Sequence, residues 1–406
     1  VINELTEIKN KTVFLKKDKN GREICIYELD NCSLVGTSCY YPNTLLYCTN
    51  THETFNPIRE KIMSLNSAAT LLKTSSVPDT VQYEDCPVFF FVYNTDNYFH
   101  FLYDTLPYLI SYKHLKSKIN NLKLLMNFPT PEKHEFYNFV IEFLFLLDIT
   151  KDDILIANQK TQYKKIYIST SYTHDIDSNL PPREEIYELY NSIVDIVNRK
   201  YPINEHIPNV YISRRTWIHN NLSNIGTNYT TRRKLVNEDN LVRALVKKGY
   251  KEIFAETLTT IEKILIFSNA KKIVGAIGGG IANALFAKPE TELFVLISPT
   301  FMDKHKRFNY CFKNKKTTFF DKSVHVEKSV WKKYMRVKVN TQNIIGEIEK
   351  VNSRTIDVLH TEHNVAGWNS QMKLKRTKYL KKDCIRLDDG LNCAWKIDLS
   401  QLNRLI

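Results

Sequence analysis

The sequence contains no CxxC pair, and its 8 cysteines are too few to define a disulfide scaffold over 406 residues. Zinc-ribbon and dithiol redox readings therefore fall away. It also lacks any uninterrupted apolar run of about 18 residues, the length a membrane-spanning helix needs. The most apolar stretch, FYNFVIEFLFLLDI from Phe136 to Ile149, is broken by Glu142 and suits a buried helix. VINELTEIKNKT at the start has no signal-peptide pattern, and a first residue of Val leaves room for a preceding anchor or domain. Glycine is scarce, at 11 residues, and acidic residues are in deficit, 44 against 57 Lys and Arg.

What is present is a folded chain: 43% apolar and 25% charged residues, enough for two ordinary domains with their own cores. The net charge of +13 favours anionic partners, among them nucleotides, phosphorylated metabolites, nucleic acid or an acidic surface, without choosing between them. The 23 Tyr and 21 Phe, beside abundant Lys, Asn and Ile, partly reflect coding bias of an AT-rich genome. Cys25, Cys32, Cys39 and Cys48 crowd one segment. They read as buried reduced thiols or, in an oxidising compartment, as one or two local disulfides. Glycosylation triplets stand at Asn31, Asn221 and Asn228. Both the cytoplasm of a microbe or virus-infected host and a secretory-pathway lumen stay open.

Strand and helix patterns alternate through the middle of the chain, which predicts an α/β fold of Rossmann-like units. The expected division is a β-rich extension over 1–86, a first α/β domain over 87–204, a second over 205–320 and a β-containing C-terminal extension over 321–406. The turn-rich YPINEHIPN is the boundary between the two α/β domains. Residues 25–49 read as an N-terminal β ornament packed against the first domain.

The densest stretch is KKIVGAIGGGIANALFAKPETELFVLISP, Lys271 to Pro299. It reads as an apolar strand, a tight turn at Gly278, Gly279 and Gly280, a short helix, a Lys288-Pro289 break and a second apolar strand. Glycines without Cβ atoms ahead of a helix start, with its unpaired N–H groups, make an anion site. A tight connection with no ligand is the plainer alternative. Upstream, NVYISRR is a strand running into Arg214 and Arg215, followed by Arg232 and Arg233. Arginine forks of this kind can bracket a diphosphate. In the first domain, PVFFFVYNTDNYFHFLYDTLPYLISYKHL gives a buried strand, a polar turn and a helix with His100 and Asp104 four apart on one face. At the C-terminal edge of a strand this pair fits a general base or a hydroxyl-fixing group, with local helix-end hydrogen bonding as the alternative. Asp175 and Asp177 have metal-ligand spacing but lie in a polar loop and are not read as a metal site. Basic and aromatic residues after Pro299 carry no nucleic-acid-binding pattern, so no nucleic-acid partner is expected.

In this order NYFHFLYDTLPYLI, YISRR and the run from RRKLVNEDN to PETELFVL resemble glycosyltransferase family 61 over roughly Phe89 to Pro299. The resemblance implies a GT-B fold, two Rossmann-like domains facing a cleft, and inverting transfer from a nucleotide-sugar, UDP-linked, to a glycan, glycoprotein or small-molecule hydroxyl. It implies no cofactor and no metal requirement. On the donor side it places Arg214 at phosphate and Asn237-Glu238 at the helix start behind it, with Arg215, Arg232 and Arg233 as the further candidate phosphate binders. It places Glu256 near ribose, with Gly278, Gly279, Gly280 and Asn283 around the pyrophosphate. On the acceptor side His100 and Asp104 are the catalytic pair, either one the base. The sequence departs from the family at Ile277, where a His is usual, and at Gly279, where Ala is common. An isoleucine cannot hydrogen-bond phosphate or sugar, so another group supplies that contact, the donor differs, or activity is reduced. A noncatalytic glycan-binding protein on a degenerate GT-B shell is the competing class.

Overall fold

A computed structural model describes residues 12–35, 44–51, 53–55, 80, 82–129, 134–174, 180–203, 205–215, 235–299, 301, 307–325, 336–339, 344–361, 374–386 and 395–405. The chain divides into two compact units, Val1–Ile193 and Val194–Ile406. Each is built on a sheet with a parallel core and associated helices, as the alternating pattern predicts.

The first unit contains β1 (Thr12–Lys17), β2 (Glu23–Val35), β3 (Leu45–Cys48), β4 (Glu53–Phe55), β5 (Gln82–Glu84), β6 (Val88–Phe90), β7 (Lys123–Met126), β8 (Ile154–Ile156) and β9 (Thr161–Ser169). The sheet order is β4-β3-β2-β9-β6-β7-β8, with β1 on β2 and β5 on β9. Strands β9, β6, β7 and β8 run parallel, while β2 joins β9 antiparallel from Ile26 opposite Ser169 to Ser33 opposite Gln162. The N-terminal strands are thus not a separate ornament: main-chain hydrogen bonds continue the same sheet through them. Val88, Phe89 and Phe90 are fully buried, as a strand covered on both faces requires. Cys25, Cys32 and Cys48 are buried free thiols, and Cys39 lies outside the described residues.

The helix expected after the polar turn is not regular. Asn97 caps its start by accepting the His100 N–H at 3.1 Å. It begins with an α turn at Tyr98–His100, widens into a π-helical stretch at Phe101–Thr105, tightens to a 3-10 turn at Leu106–Tyr108 and resumes as α1, Leu109–Lys116. Pro107 accounts for this: its ring would strike the Tyr103 carbonyl in an α-helix, and it has no N–H to donate. The Leu106 N–H reaches back instead to the Phe101 carbonyl. Two further helices follow, α2 (Asn138–Leu146) and α3 (Glu185–Lys200), the second running across the division between units. The α2 helix starts at Asn138, directly after the extended Tyr137.

The second unit contains β10 (Asn209–Ile212), α4 (Glu238–Lys247), β11 (Lys251–Ile253), α5 (Thr260–Asn269), β12 (Lys272–Ala276), β13 (Glu292–Leu296), α6 (Phe308–Cys311) and β14 (Lys316–Phe320). The sheet order is β11-β10-β12-β13-β14, every pair parallel. A capping box between Thr259 and Glu262 fixes the start of α5 and adds about 1 kcal/mol. The core joins Tyr211, Val274, Leu296 and Phe320 of the sheet to Leu241 and Leu245 of α4. Each such side chain contributes about 1.5–3 kcal/mol on burial.

Beyond β14 lie β15 (Ser323–His325), β16 (Arg336–Val339), β17 (Ile344–Val351), β18 (Thr355–Thr361), β19 (Leu374–Leu380), β20 (Cys384–Arg386), β21 (Trp395–Ile397) and α7 (Leu399–Leu405). Strands β16 to β20 form an antiparallel sheet in the order β19-β18-β17-β16-β20, with its own small core. Trp395 and Ile397 return to the core of the parallel sheet, and the Trp395 carbonyl accepts the Val236 N–H at 2.8 Å.

Candidate functional site

In open α/β sheets ligands gather outside the carboxyl ends of strands where the chain's direction of travel across the sheet reverses. The first unit reverses between β6 and β9: the chain leaves β6 toward β7 and β8 on one side, and β9 lies on the other. The residues after these two neighbouring strands include His100, Asp104 and His174. His100 Nδ1 lies 2.7 Å from Asp104 Oδ2, and His174 Nε2 lies 3.5 Å from Asp104 Oδ1. The Asp104 side chain is 1% exposed, His174 13% and His100 29%. A carboxylate removed from water to this degree must be met by donors, and the imidazoles stand at its two oxygens.

The supports of this cluster are themselves buried. Thr105 donates its hydroxyl to the Asn94 carbonyl at 2.9 Å, and the Asn94 side chain accepts the N–H groups of Asp96 and Asn97. Tyr190 of α3 donates to the Leu102 carbonyl at 2.5 Å. Ser111 Oγ contacts both Ser169 Oγ at 2.7 Å and Tyr172 Oη at 2.9 Å, and burial pushes the Tyr172 phenol up to about 12. His174 has no counterpart in the sequence patterns, although it follows β9 just as His100 follows β6; β9 and β6 are far apart in sequence and only their pairing makes them neighbours. Asp175 and Asp177 lie outside the described residues. Among the described residues no group of three or more His, Cys, Asp or Glu side chains is placed to hold a metal ion.

In the second unit the reversal lies between β10 and β12. Beyond β10 come Ser213, Arg214 and Arg215; beyond β12 come Ile277 and the three glycines. Glu238, at the first turn of α4 and 3% exposed, organises the first of these ends. Its Oε1 accepts from Tyr211 Oη at 2.8 Å, Ser213 Oγ at 3.2 Å and the Arg214 backbone N–H at 2.7 Å. Burial, reinforced by the Glu238 charge, holds the Tyr211 phenol far above its ordinary range. Arg214 is 8% exposed. Arg215 is differently engaged: its Nε and Nη2 meet the two Glu252 oxygens at 2.6 Å each, and its Nη1 meets Asp239 at 2.9 Å. That fork is filled by the protein's own carboxylates. Arg232 and Arg233 lie outside the described residues.

The glycines after β12 divide by role. Gly278 has φ 155°, a conformation that L side chains rarely adopt. A Cβ on Gly280 would stand 2.9 Å from Ile212 Cγ2, and one on Gly275 2.9 Å from Ile281 Cδ1. The missing side chains there admit the neighbouring strand and the following turn, so close packing already calls for glycine at position 280. The helix after the turn is a 3-10 helix, Ile281–Phe286, where the sequence reading expects an unspecified short helix. Asn283 is fully buried and donates Nδ2 to the Gly280 carbonyl at 2.9 Å, closing the turn. Among the described residues no backbone carbonyl accepts the N–H groups of Gly279 or Gly280. Ile277 is 3% exposed, and its N–H pairs with the Leu296 carbonyl at 3.0 Å. Glu256 sits in a 3-10 turn, Ala255–Thr257, after β11, partly buried.

No helix among the described residues is long and apolar enough to cross a membrane. No curated protein matches the chain. A family comparison does: residues 98–294 match Glycosyltransferase 61, the family the sequence resembles.

Proposed function

From a chain whose residues 98–294 match a family of glycosyltransferases, we propose an inverting enzyme that moves a sugar from a UDP-linked donor to a hydroxyl of a glycan, glycoprotein or small molecule. In this reading the two units are the acceptor-side and donor-side halves of a GT-B enzyme, and His100 is the base. The observation that carries it is the 2.7 Å contact between a partly exposed His100 and a buried Asp104. An ionised carboxylate only accepts hydrogen bonds, so Asp104 selects the imidazole form with hydrogen on Nδ1. Nε2 then holds the lone pair that takes a proton. Asp104, at 1% exposure, cannot reach an acceptor and serves as the orienting group.

The acceptor oxygen forms a bond to the anomeric carbon from the face opposite the leaving group, its proton passing to His100 Nε2. The bond from the anomeric carbon to the diphosphate oxygen breaks, and the nucleoside diphosphate departs with the electron pair. Arg214 and the Gly279 and Gly280 N–H groups are the groups proposed to meet its developing charge, with Glu256 beside the ribose. Arg215 and Asn283 take supporting parts, given the partners they already hold. No step is routed through a metal, and turnover is expected to persist in EDTA.

Incubating the protein with a panel of nucleotide-sugars and mixed acceptors, with and without EDTA, and reading products by mass spectrometry tests the proposal. Donor-dependent glycosylation with inverted anomeric configuration is the expected result. Neither binding nor turnover of any donor would leave the noncatalytic reading, to which the buried Ile277 at a usual His position already lends weight.

A further inference from the structure

We propose that His174 is a positioning residue that clamps the second oxygen of Asp104 and thereby fixes the tautomer and orientation of His100; the proposal rests on the transferase reading with His100 as base.

The geometry supporting it is a three-member line. Asp104 presents Oδ2 to His100 Nδ1 at 2.7 Å and Oδ1 to His174 Nε2 at 3.5 Å. The terminal bond of an aspartate has broad torsional preferences, and each group that meets a carboxylate oxygen narrows its rotation. Contact at Oδ1 helps to keep Oδ2 in the plane that His100 needs. The far nitrogen of His174 is also engaged: Nδ1 lies 3.1 Å from Thr173 Oγ1. Where the hydroxyl donates to that nitrogen, the His174 hydrogen sits on Nε2, facing Asp104.

The loop bearing His174 is built for this placement. Ser171 Oγ accepts the N–H groups of both Thr173 and His174 at 3.2 Å. Arg183, 4% exposed, donates from Nη1 to the Ser171 carbonyl and from Nη2 to the Glu23 carbonyl at 2.9 Å, while its own N–H meets the Tyr172 carbonyl at 2.8 Å. The buried guanidinium ties this loop to the start of β2. It holds the His174 backbone where the imidazole meets Asp104.

The test uses the full chain labelled with 15N at histidine, the His100 signals being assigned by their loss in His100→Gln. Ring 15N shifts report which nitrogen carries hydrogen. In the unaltered protein His100 is expected in the Nδ1–H form. In His174→Phe it should become a mixture of tautomers, with kcat lower by about tenfold or more, part of the roughly 10²–10⁴ that a general base contributes, and donor KM unchanged. His174→Gln, whose amide nitrogen can reach the place of Nε2, should restore the tautomer and most of kcat. An unchanged His100 tautomer in a folded His174→Phe protein overturns the proposal. Should that variant not fold, Thr173→Val carries the test: a shift in the His100 tautomer supports the clamp and no shift overturns it. Because the 15N readout needs no turnover, a clamp that behaves as expected in a protein inert toward every nucleotide-sugar would sink the transferase reading alone.

Discussion

The two units use the same device and fill it with opposite materials. In each, two parallel strands that neighbour one another across a reversal of chain direction bring distant loops together, β6 with β9 in the first and β10 with β12 in the second. In the first unit the loops meet through side chains, His100, Asp104 and His174, on a scaffold of buried hydroxyls and carbonyls. In the second, main-chain groups hold the ends: the Arg214 N–H is fixed by the Glu238 carboxylate, and the glycine turn packs directly on Ile212 of the neighbouring strand. Side-chain chemistry can be deleted with the fold left standing. Main-chain chemistry cannot, because the Gly279 and Gly280 N–H groups proposed to meet a ligand belong to the turn that packs on Ile212.

The largest expected effect lies on the side-chain half. His100→Ala removes the proposed base and takes a donor from the buried Asp104 carboxylate, so kcat should fall about 10²–10⁴-fold and stability by about 1–3 kcal/mol, the chain still folding. Nucleotide binding, measured calorimetrically, should be unchanged. A kcat within tenfold of the original would move the base elsewhere and remove the contrast between the units.

How far the sequence spoke follows the same divide. The glycine turn, the arginines after β10 and the His100-Asp104 pair all stand in short local patterns, and period and turn chemistry are local properties. His174 belongs to no local pattern; it matters because β9 pairs with β6, a long-range choice that no window of sequence contains. The irregular helix at Phe101–Thr105 was legible in principle, since Pro107 is visible, but the π form it takes depends on how the buried aromatic residues around it pack, with Tyr93 and Tyr108 stacked at 4.1 Å. The partners of Arg215 were not legible for a related reason: whether an arginine at a strand end meets its own protein's carboxylates depends on Glu252, one strand away.

The glycine turn gives the next effect in size. Gly280→Ala places a Cβ 2.9 Å from Ile212 Cγ2, a close approach to the side chain of a buried strand, and should destabilise the protein by about 1–3 kcal/mol. Ile212→Ala opens space at the same point and is itself destabilising. If the contact is the cause, the double variant will be more stable than the sum of the two single losses by about 1 kcal/mol in denaturant titrations. Strict additivity would mean that Gly280 is needed for its backbone alone or for a ligand, and the packing explanation would be withdrawn.

The smallest effect separates two adjacent arginines. Arg215 is 34% exposed along its side chain and held by Glu252 and Asp239, so Arg215→Ala should lower stability by no more than about 1 kcal/mol, less in high salt, and leave donor KM within about twofold. Arg214, 8% exposed beside the backbone fixed by Glu238, should behave oppositely: Arg214→Ala is expected to raise donor KM or lower kcat by about tenfold, in the range of one lost charge-assisted hydrogen bond, without unfolding the protein. The pair is informative because charge and chain position are nearly the same and only the partners differ. If Arg215→Ala damages donor binding as much as Arg214→Ala does, then the carboxylates Glu252 and Asp239 are a resting place that a phosphate displaces. The main-chain half of the molecule would then depend on a side-chain switch after all.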